Sequence, residues 1–172
     1  GYLTGEIKVI PEEGSLAPNS YEFGQKDSRS TILKRMSVKQ DSILQRAWQS
    51  KLDSLPLKTP EEALILASII EKETGLKSER RIIASVFINR LKKGMPLQTD
   101  PTVIYGITKG QEILGRGLRR SELRKDTPWN TYLREGLPPT PIANPGEESI
   151  FAALNPENTN FIFFVADGTG GH

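Results

Sequence analysis

Residues 59–75 read TPEEALILASIIEKETG, and the fold turns on them. Thr59 is placed to cap a helix, Pro60 suits its first position, and Glu62 stands three residues after the cap as in a capping box. Gly75 supplies a stop. Between these signals the run is almost wholly apolar, and it closes on two acids, Glu71 and Glu73. On a 3.6-residue period Leu66, Ile69, Ile70 and Glu73 fall on one stripe, so Glu73 extends an apolar face. Glu71 lies about 200° round the helix, on the lighter stripe of Leu64, Ala67 and Ser68. The two carboxylates do not point at the same bond.

Upstream, from about Ser28 or Ser30 to Ser50, Ile32, Leu33, Met36, Ile43, Leu44, Ala47 and Trp48 recur at helical spacing, which predicts an amphipathic helix packed on one side. Downstream, Ser78 is expected to cap a helix running to about Lys93 with Gly94 as its stop, packed on the opening helix as a hairpin. In LQTDPTVIYG (97–106), Thr99 or Asp100 is the cap of a short helical turn, Pro101 its first position and Gly106 its end. Lys109 to Lys125 reads as an exposed excursion, a hairpin with a short helical turn from Ser121. The stretch 126–145, DTPWNTYLREGLPPTPIANP, holds five prolines, which fix an ordered loop. Asn144, Pro145 and Glu147 open a last helix that closes near Pro156.

Two apolar runs read as strands: one around Ile7 to Ile10, and Phe161 to Val165 leading into a turn at Asp167-Gly168. Between them GSLAPNSYEF (14–23) is an irregular loop that lines a cleft or covers the core. The expected architecture is α+β: one mostly helical domain over 1–172 with a small β-sheet.

The 172 residues suffice for one core. Twenty-three basic residues against twenty-one acidic leave a net charge of +2 with no long basic tract, which argues against a nucleic-acid binder. There is no cysteine, and the single histidine is His172, so zinc sites of the Cys₂His₂ type, thiol nucleophiles and Ser-His-Asp triads lack their parts. No metal or cofactor is expected. No run of about 18 apolar residues and no signal peptide is present. Beginning at Gly1 and stopping after FVADGTGGH, the sequence reads as a piece of a longer protein.

Glu73 is the leading candidate for chemistry. Burial beside Leu66, Ile69 and Ile70 would disfavour its charged form and let it hold a proton near neutral pH, as a general acid must. The competing reading is a last-turn residue ion-paired to Lys72, Lys77 or Arg80. Gln98, Thr99 and Asp100 suit sugar hydroxyls, although a helix cap at Thr99 or Asp100 explains the same residues. Asn130, Thr131 and Tyr132, a polar and aromatic trio among prolines, suit a carbohydrate site or a self-bonded loop.

In the same order and over essentially the whole chain, LASIIEKETGLKSER (66–80), VFINRLKKGMPLQTDPTVIYG (86–106), WNTYLREGLPPTPIANPG (129–146) and FVADGTGGH (164–172) resemble the catalytic domain of the MltG (YceG-like) endolytic murein transglycosylases. The resemblance implies a bacterial cell-envelope enzyme that cuts peptidoglycan glycan strands internally, between MurNAc and GlcNAc, leaving 1,6-anhydro-MurNAc ends. It implies an essential acid in the E-K-E motif, carried here to Glu73, with Glu71 supporting the site. Gln98, Thr99, Asp100, Asn130 and Tyr132 would surround the sugar. It also implies an upstream membrane anchor and LysM-like domain, a location on the periplasmic side of the inner membrane, further residues beyond His172, and association with peptidoglycan polymerases. In the proline-rich loop two positions depart from the family pattern: Trp129 stands where tyrosine is usual, and Thr140 where glycine is.

Overall fold

The computed structural model describes residues 3–165. Among these are six helices: α1 (Arg29–Gln49), α2 (Pro60–Glu73), α3 (Arg80–Lys92), α4 (Asp100–Thr108), α5 (Arg120–Leu123) and α6 (Glu147–Leu154). The opening helix begins as its sequence dictates. Thr59 sits in extended conformation and its side chain accepts from the Glu62 amide, with Pro60 in the first turn. The Glu62 carboxylate reaches back one residue further than a capping box would place it, to the Lys58 amide at 2.5 Å. The helix ends because Thr74 turns extended, at φ −137°, and not through Gly75. Thr74 Oγ1 then receives the Leu76 amide and donates to Glu79.

α2 is the axis of the molecule. Seven of its residues, Ala63, Ile65 to Ile70, are buried, so both the heavy and the light stripe lie inside. α6 crosses it and also touches α1 and α3, while α2 packs in addition on α1, α3 and α4. Leu66, Ile69, Ile70, Phe87, Ile150 and Leu154 fill the shared core. Burying side chains of this size stabilises by about 1.5–3 kcal/mol each. From Ala63 to Ile70 the helix is packed on several sides and needs no polar face, which explains why its sequence carries no charge between Glu62 and Glu71.

The expected β-sheet is absent from the described residues, whose single β-bridge is the isolated Thr4–Ser28 pair. Residues 161–165 do alternate, with Phe161, Phe163 and Val165 exposed and Ile162 and Phe164 turned inward. Their carbonyls, however, are taken by side chains of α3. Asn89 Nδ2 donates to Thr159 O and Phe161 O at 2.8 and 2.9 Å, and Arg90 Nε donates to Ile162 O at 2.7 Å. Main-chain groups satisfied this way need no neighbouring strand. Ile7, Val9 and Ile10 are exposed and likewise form no strand. The expected turn at Asp167-Gly168 lies outside the described residues. The fold is therefore helical, not α+β.

Three helix boundaries differ from expectation for similar reasons. Ser78 does not cap α3, whose N-cap is Glu79 without a side-chain cap. Asn144 does not cap α6, whose N-cap is Gly146; its Oδ1 instead accepts from the Leu16 amide and ties down the N-terminal loop. α4 runs through Gly106 to Thr108 and ends at left-handed Lys109. Gly106 is there for clearance: a Cβ on it would stand 2.4 Å from Thr127 Oγ1. The 109–125 segment contains α5 and no hairpin; Arg116 grips Glu122 through two bonds of 2.8 and 2.6 Å. The N-terminal loop combines the two alternatives, since Ala17 is buried in the core while Ser15 and Leu16 line a cleft.

Candidate active site

The end of α2 delivers its two acids to different neighbours. Glu71 meets α6: its Oε2 accepts from the Gly146 amide at 3.1 Å and from Ser149 Oγ at 2.6 Å, and its Oε1 lies 3.4 Å from Arg80 Nη2. A carboxylate at the first turn of a helix suits both the free amides and the helix dipole. Glu71 therefore locks α2 to α6, and Arg80 extends the lock to Glu148 at 2.8 Å.

Glu73 faces the other way, into a cleft of about 250 Å³ that it shares with Arg90, Gln98, Asp100 and Tyr132, with Leu97 and Phe164 as apolar walls. Thr99 Oγ1 donates to Glu73 Oε2 at 2.7 Å. That hydroxyl makes no cap bond to its own helix, so the residue type that looked like a cap serves a side chain 26 positions away. Beneath it lies a chain of buried hydroxyls. Thr102 Oγ1 donates to Thr99 O at 2.8 Å and lies 2.8 Å from Thr131 Oγ1, while the Thr99 amide donates to Thr131 Oγ1 at 3.2 Å. Each hydroxyl has one hydrogen, so Thr131 must be the donor to Thr102, and every proton in the chain has a fixed destination. Thr99 is thus held through its main-chain groups, and its own hydroxyl is left to donate to Glu73.

The opposite wall is built from the loop before α4 and the proline-rich loop. Gln98 adopts a left-handed φ of 51°, uncommon outside glycine, and its amide donates to Thr131 O at 3.0 Å. Tyr132 donates its phenol to Asp100 Oδ1 at 2.6 Å. Burial, and then that bond and the Asp100 charge, push the Tyr132 pKa above its ordinary value, so the phenol stays a donor. Asn130 is brought to the same loop but not to the cleft. It is wholly buried, its Nδ2 donates to Leu123 O and Lys125 O, and its Oδ1 accepts from the Tyr132 amide. It shapes the turn that presents Tyr132.

Arg90 is the member of the cleft that the sequence reading does not single out. Its residue is 7% exposed. Nε holds Ile162 O, and Nη1 lies within hydrogen-bond distance of Leu97 O, Pro96 O and Gln98 Oε1. The Phe163 ring stacks 5.1 Å from its guanidinium carbon. Burial pulls its pKa below the ordinary arginine value. The signal was available: Arg90 follows Ile83, Val86 and Phe87 at i+7, i+4 and i+3, a cation set in an apolar stripe. Thr102 carries no comparable mark.

The two positions that depart from the resembled pattern touch each other. Trp129 Nε1 donates to Thr140 Oγ1 at 2.9 Å. Lys109 Nζ sits 3.2 Å from the Trp129 ring centroid, and Tyr105 lies against the same ring at 5.6 Å between centroids. Burial, with help from Lys125, lowers the Lys109 pKa. Roomier clefts lie elsewhere. One of about 600 Å³ runs between residues 6–12 and α1 and contains none of the residues grouped around Glu73.

The chain is similar to known proteins. Residues 4–172 match the model of the YceG-like family. The chain is 41% identical over 160 residues to the endolytic murein transglycosylase of Bacillus subtilis (strain 168), covering 93% of this chain and 43% of that protein. It is 33% identical to the endolytic murein transglycosylase of Streptococcus pneumoniae serotype 2 (strain D39), covering 92% and 29% respectively. A crystal structure of a yceG-like protein from Listeria monocytogenes superposes with a TM-score of 0.78 at 38% identity, over 92% of this chain and 50% of that one. The chain thus spans less than half the length of the curated relatives it matches. With the family model covering nearly its whole length, this chain belongs to the YceG-like family.

Proposed function

We propose that this chain carries the chemistry of an endolytic peptidoglycan lytic transglycosylase, with Glu73 as its acid and base. The observation that carries the reading is Glu73 at the rim of a polar cleft, held through one oxygen by Thr99 and faced by Gln98, Asp100 and Tyr132. The relatives' names supply the reaction class. Protonated Glu73 gives its proton to the glycosidic oxygen between MurNAc and GlcNAc, and the C1–O bond breaks, releasing GlcNAc with a free 4-hydroxyl. The MurNAc 6-hydroxyl oxygen then bonds to C1 while the Glu73 carboxylate takes its proton. The product is a 1,6-anhydro end, the carboxyl group is regenerated, and no water is consumed. Tyr132 and Asp100 bind sugar hydroxyls in this scheme, and Glu71 supports the site by fixing the end of α2.

Asp100 gives a second reading some ground. It is another carboxylate in the same cleft, and hydrolytic glycosidases use two carboxylates flanking the bond. Its pairing with the Tyr132 phenol at 2.6 Å counts against a role as nucleophile or base. A glycan-binding module without catalysis would use the same cleft. Digestion of purified peptidoglycan with product mass spectrometry separates the three: anhydro ends support the transglycosylase, reducing ends a hydrolase, and intact strands a binding module.

The same reading places the protein in the bacterial cell envelope, acting on glycan strands on the periplasmic side of the inner membrane beside the peptidoglycan polymerases. Among the described residues no helix is long and apolar enough to cross a membrane, so an anchor would belong to a part of the protein outside them.

A further inference from the structure

We propose that Gln98, its amide turned by Arg90, is the residue through which the cleft selects an acetamido sugar over the corresponding free amine. The proposal rests on the transglycosylase reading above and names what that site recognises. Arg90 Nη1 lies 3.4 Å from Gln98 Oε1. A guanidinium has donors and no acceptor, so the end of the Gln98 amide that faces it has to be the oxygen. The same Nη1 donates to Leu97 O at 2.8 Å and lies 3.2 Å from Pro96 O. One buried cation therefore holds the backbone leading into Gln98 and, at the longer distance of 3.4 Å, faces the oxygen of its side chain. The left-handed backbone at φ 51° and the amide bond to Thr131 O set the direction in which that side chain leaves the chain.

With the oxygen turned to Arg90, the end offered to the cleft is Nε2, which only donates. Sugar hydroxyls donate as well as accept and are matched by the carboxylate and phenol of Asp100 and Tyr132. The group on the glycan that only accepts strongly at one point is the acetamido carbonyl. Removing the acetyl group leaves an ammonium, which has donors alone and would meet Nε2 donor to donor. Charge works the other way, because the carboxylates of Glu73 and Asp100 in the same cleft attract a cation. A preference for the acetamide must therefore come from the amide donor, which makes Gln98 the residue to test and Arg90 its positioning residue.

The test uses the whole chain, wild type, Gln98→Met and Arg90→Lys, on N-acetylated glycan strands and on the same strands chemically N-deacetylated. Release of anhydro ends gives kcat/KM for each. Wild type should favour the acetylated strands by about tenfold or more, the size of effect that one unmatched polar group produces. Gln98→Met should bring the ratio below about threefold, and Arg90→Lys, which keeps the charge and loses the fork, should lower it in the same direction. Comparing two substrates on one protein cancels any loss of folded molecules. A wild-type ratio retained in Gln98→Met, or no wild-type preference, overturns the proposal alone. Absence of anhydro ends from both substrates with wild type overturns the transglycosylase reading, and the proposal with it.

Discussion

Thr99 Oγ1 donates a 2.7 Å hydrogen bond to Glu73 Oε2, joining the first turn of one helix to the last residue of another. One carboxylate oxygen is thereby held at a fixed place while the side chain faces the cleft. Thr99 is 2% exposed, and its backbone carbonyl and amide are held by the hydroxyls of Thr102 and Thr131. The bond is charge-assisted when Glu73 is ionised, the state that must accept the 6-hydroxyl proton.

Thr99→Val keeps the shape of the side chain and removes only that donor. Loss of a hydrogen bond to a charged group costs about 1.5–3 kcal/mol, so kcat for anhydro-end release should fall by about 10- to 100-fold, with KM and the melting temperature little changed. Steady-state kinetics beside a thermal melt check this. A variant with wild-type kcat would mean that Thr99 does not position Glu73.

Tyr132 should resist ionisation. Burial and its bond to Asp100 raise its pKa above the ordinary 10.0, so the neutral phenol is the form the fold favours. Its contribution to stability is complete below the ordinary value and fades as pH rises through the raised one. Absorbance titration at 295 nm of wild type against Tyr132→Phe should show the missing tyrosine ionising well above pH 10. Stability should fall less steeply with pH in the variant on the alkaline side. The same variant should lose about tenfold in kcat/KM through the released Asp100.

Much of this was written in local signals, and the exceptions share a cause. The start of α2 follows from Thr59, Pro60 and Glu62, and the periodicity of 29–49 and 80–92 locates α1 and α3 to within a few residues. Gln98, Asp100 and Tyr132 line one cleft with Glu73. What local reading missed were long-range partners. Thr99 is the N-cap residue of α4 as its position suggests, but the acceptor of its hydroxyl is 26 residues away. The 161–165 run looked like a strand because nothing in it shows that Asn89 and Arg90 take its carbonyls. For Asn130 the sequence left a sugar site and a self-bonded loop open, because the carbonyls that take its amide belong to the α5 turn and the residues after it. Gly106 looked like a stop because Thr127 is not visible from α4.

Glu71 should matter to stability, and its effect should be shared with Ser149. Their bond is 2.6 Å and partly buried. Glu71→Gln and Ser149→Ala should each destabilise by about 1–3 kcal/mol. The double variant should lose less than the sum, because both remove one interaction. Urea denaturation of the four proteins measures the coupling. Strict additivity would show that the α2–α6 lock does not run through this pair.

Trp129 and Thr140 should be coupled as well. Trp129→Phe removes the indole donor, and Thr140→Gly removes its acceptor. The interaction energy in a double-mutant cycle should be about 0.5–1.5 kcal/mol. Chemical denaturation provides it. A value indistinguishable from zero would mean that the two departures from the family pattern arose independently.

The most direct measurement is digestion of purified peptidoglycan by wild type, Glu73→Gln and Glu71→Gln, with mass spectrometry of the released ends. Glutamine cannot donate or accept the proton, so Glu73→Gln should lose at least about a thousandfold in rate, within the scale of general acid–base catalysis at two successive steps. Wild type should yield 1,6-anhydro-MurNAc ends, and Glu71→Gln should yield the same ends at a rate that tracks its folded fraction. Full activity in Glu73→Gln with loss in Glu71→Gln, or reducing ends in place of anhydro ends, would contradict the account.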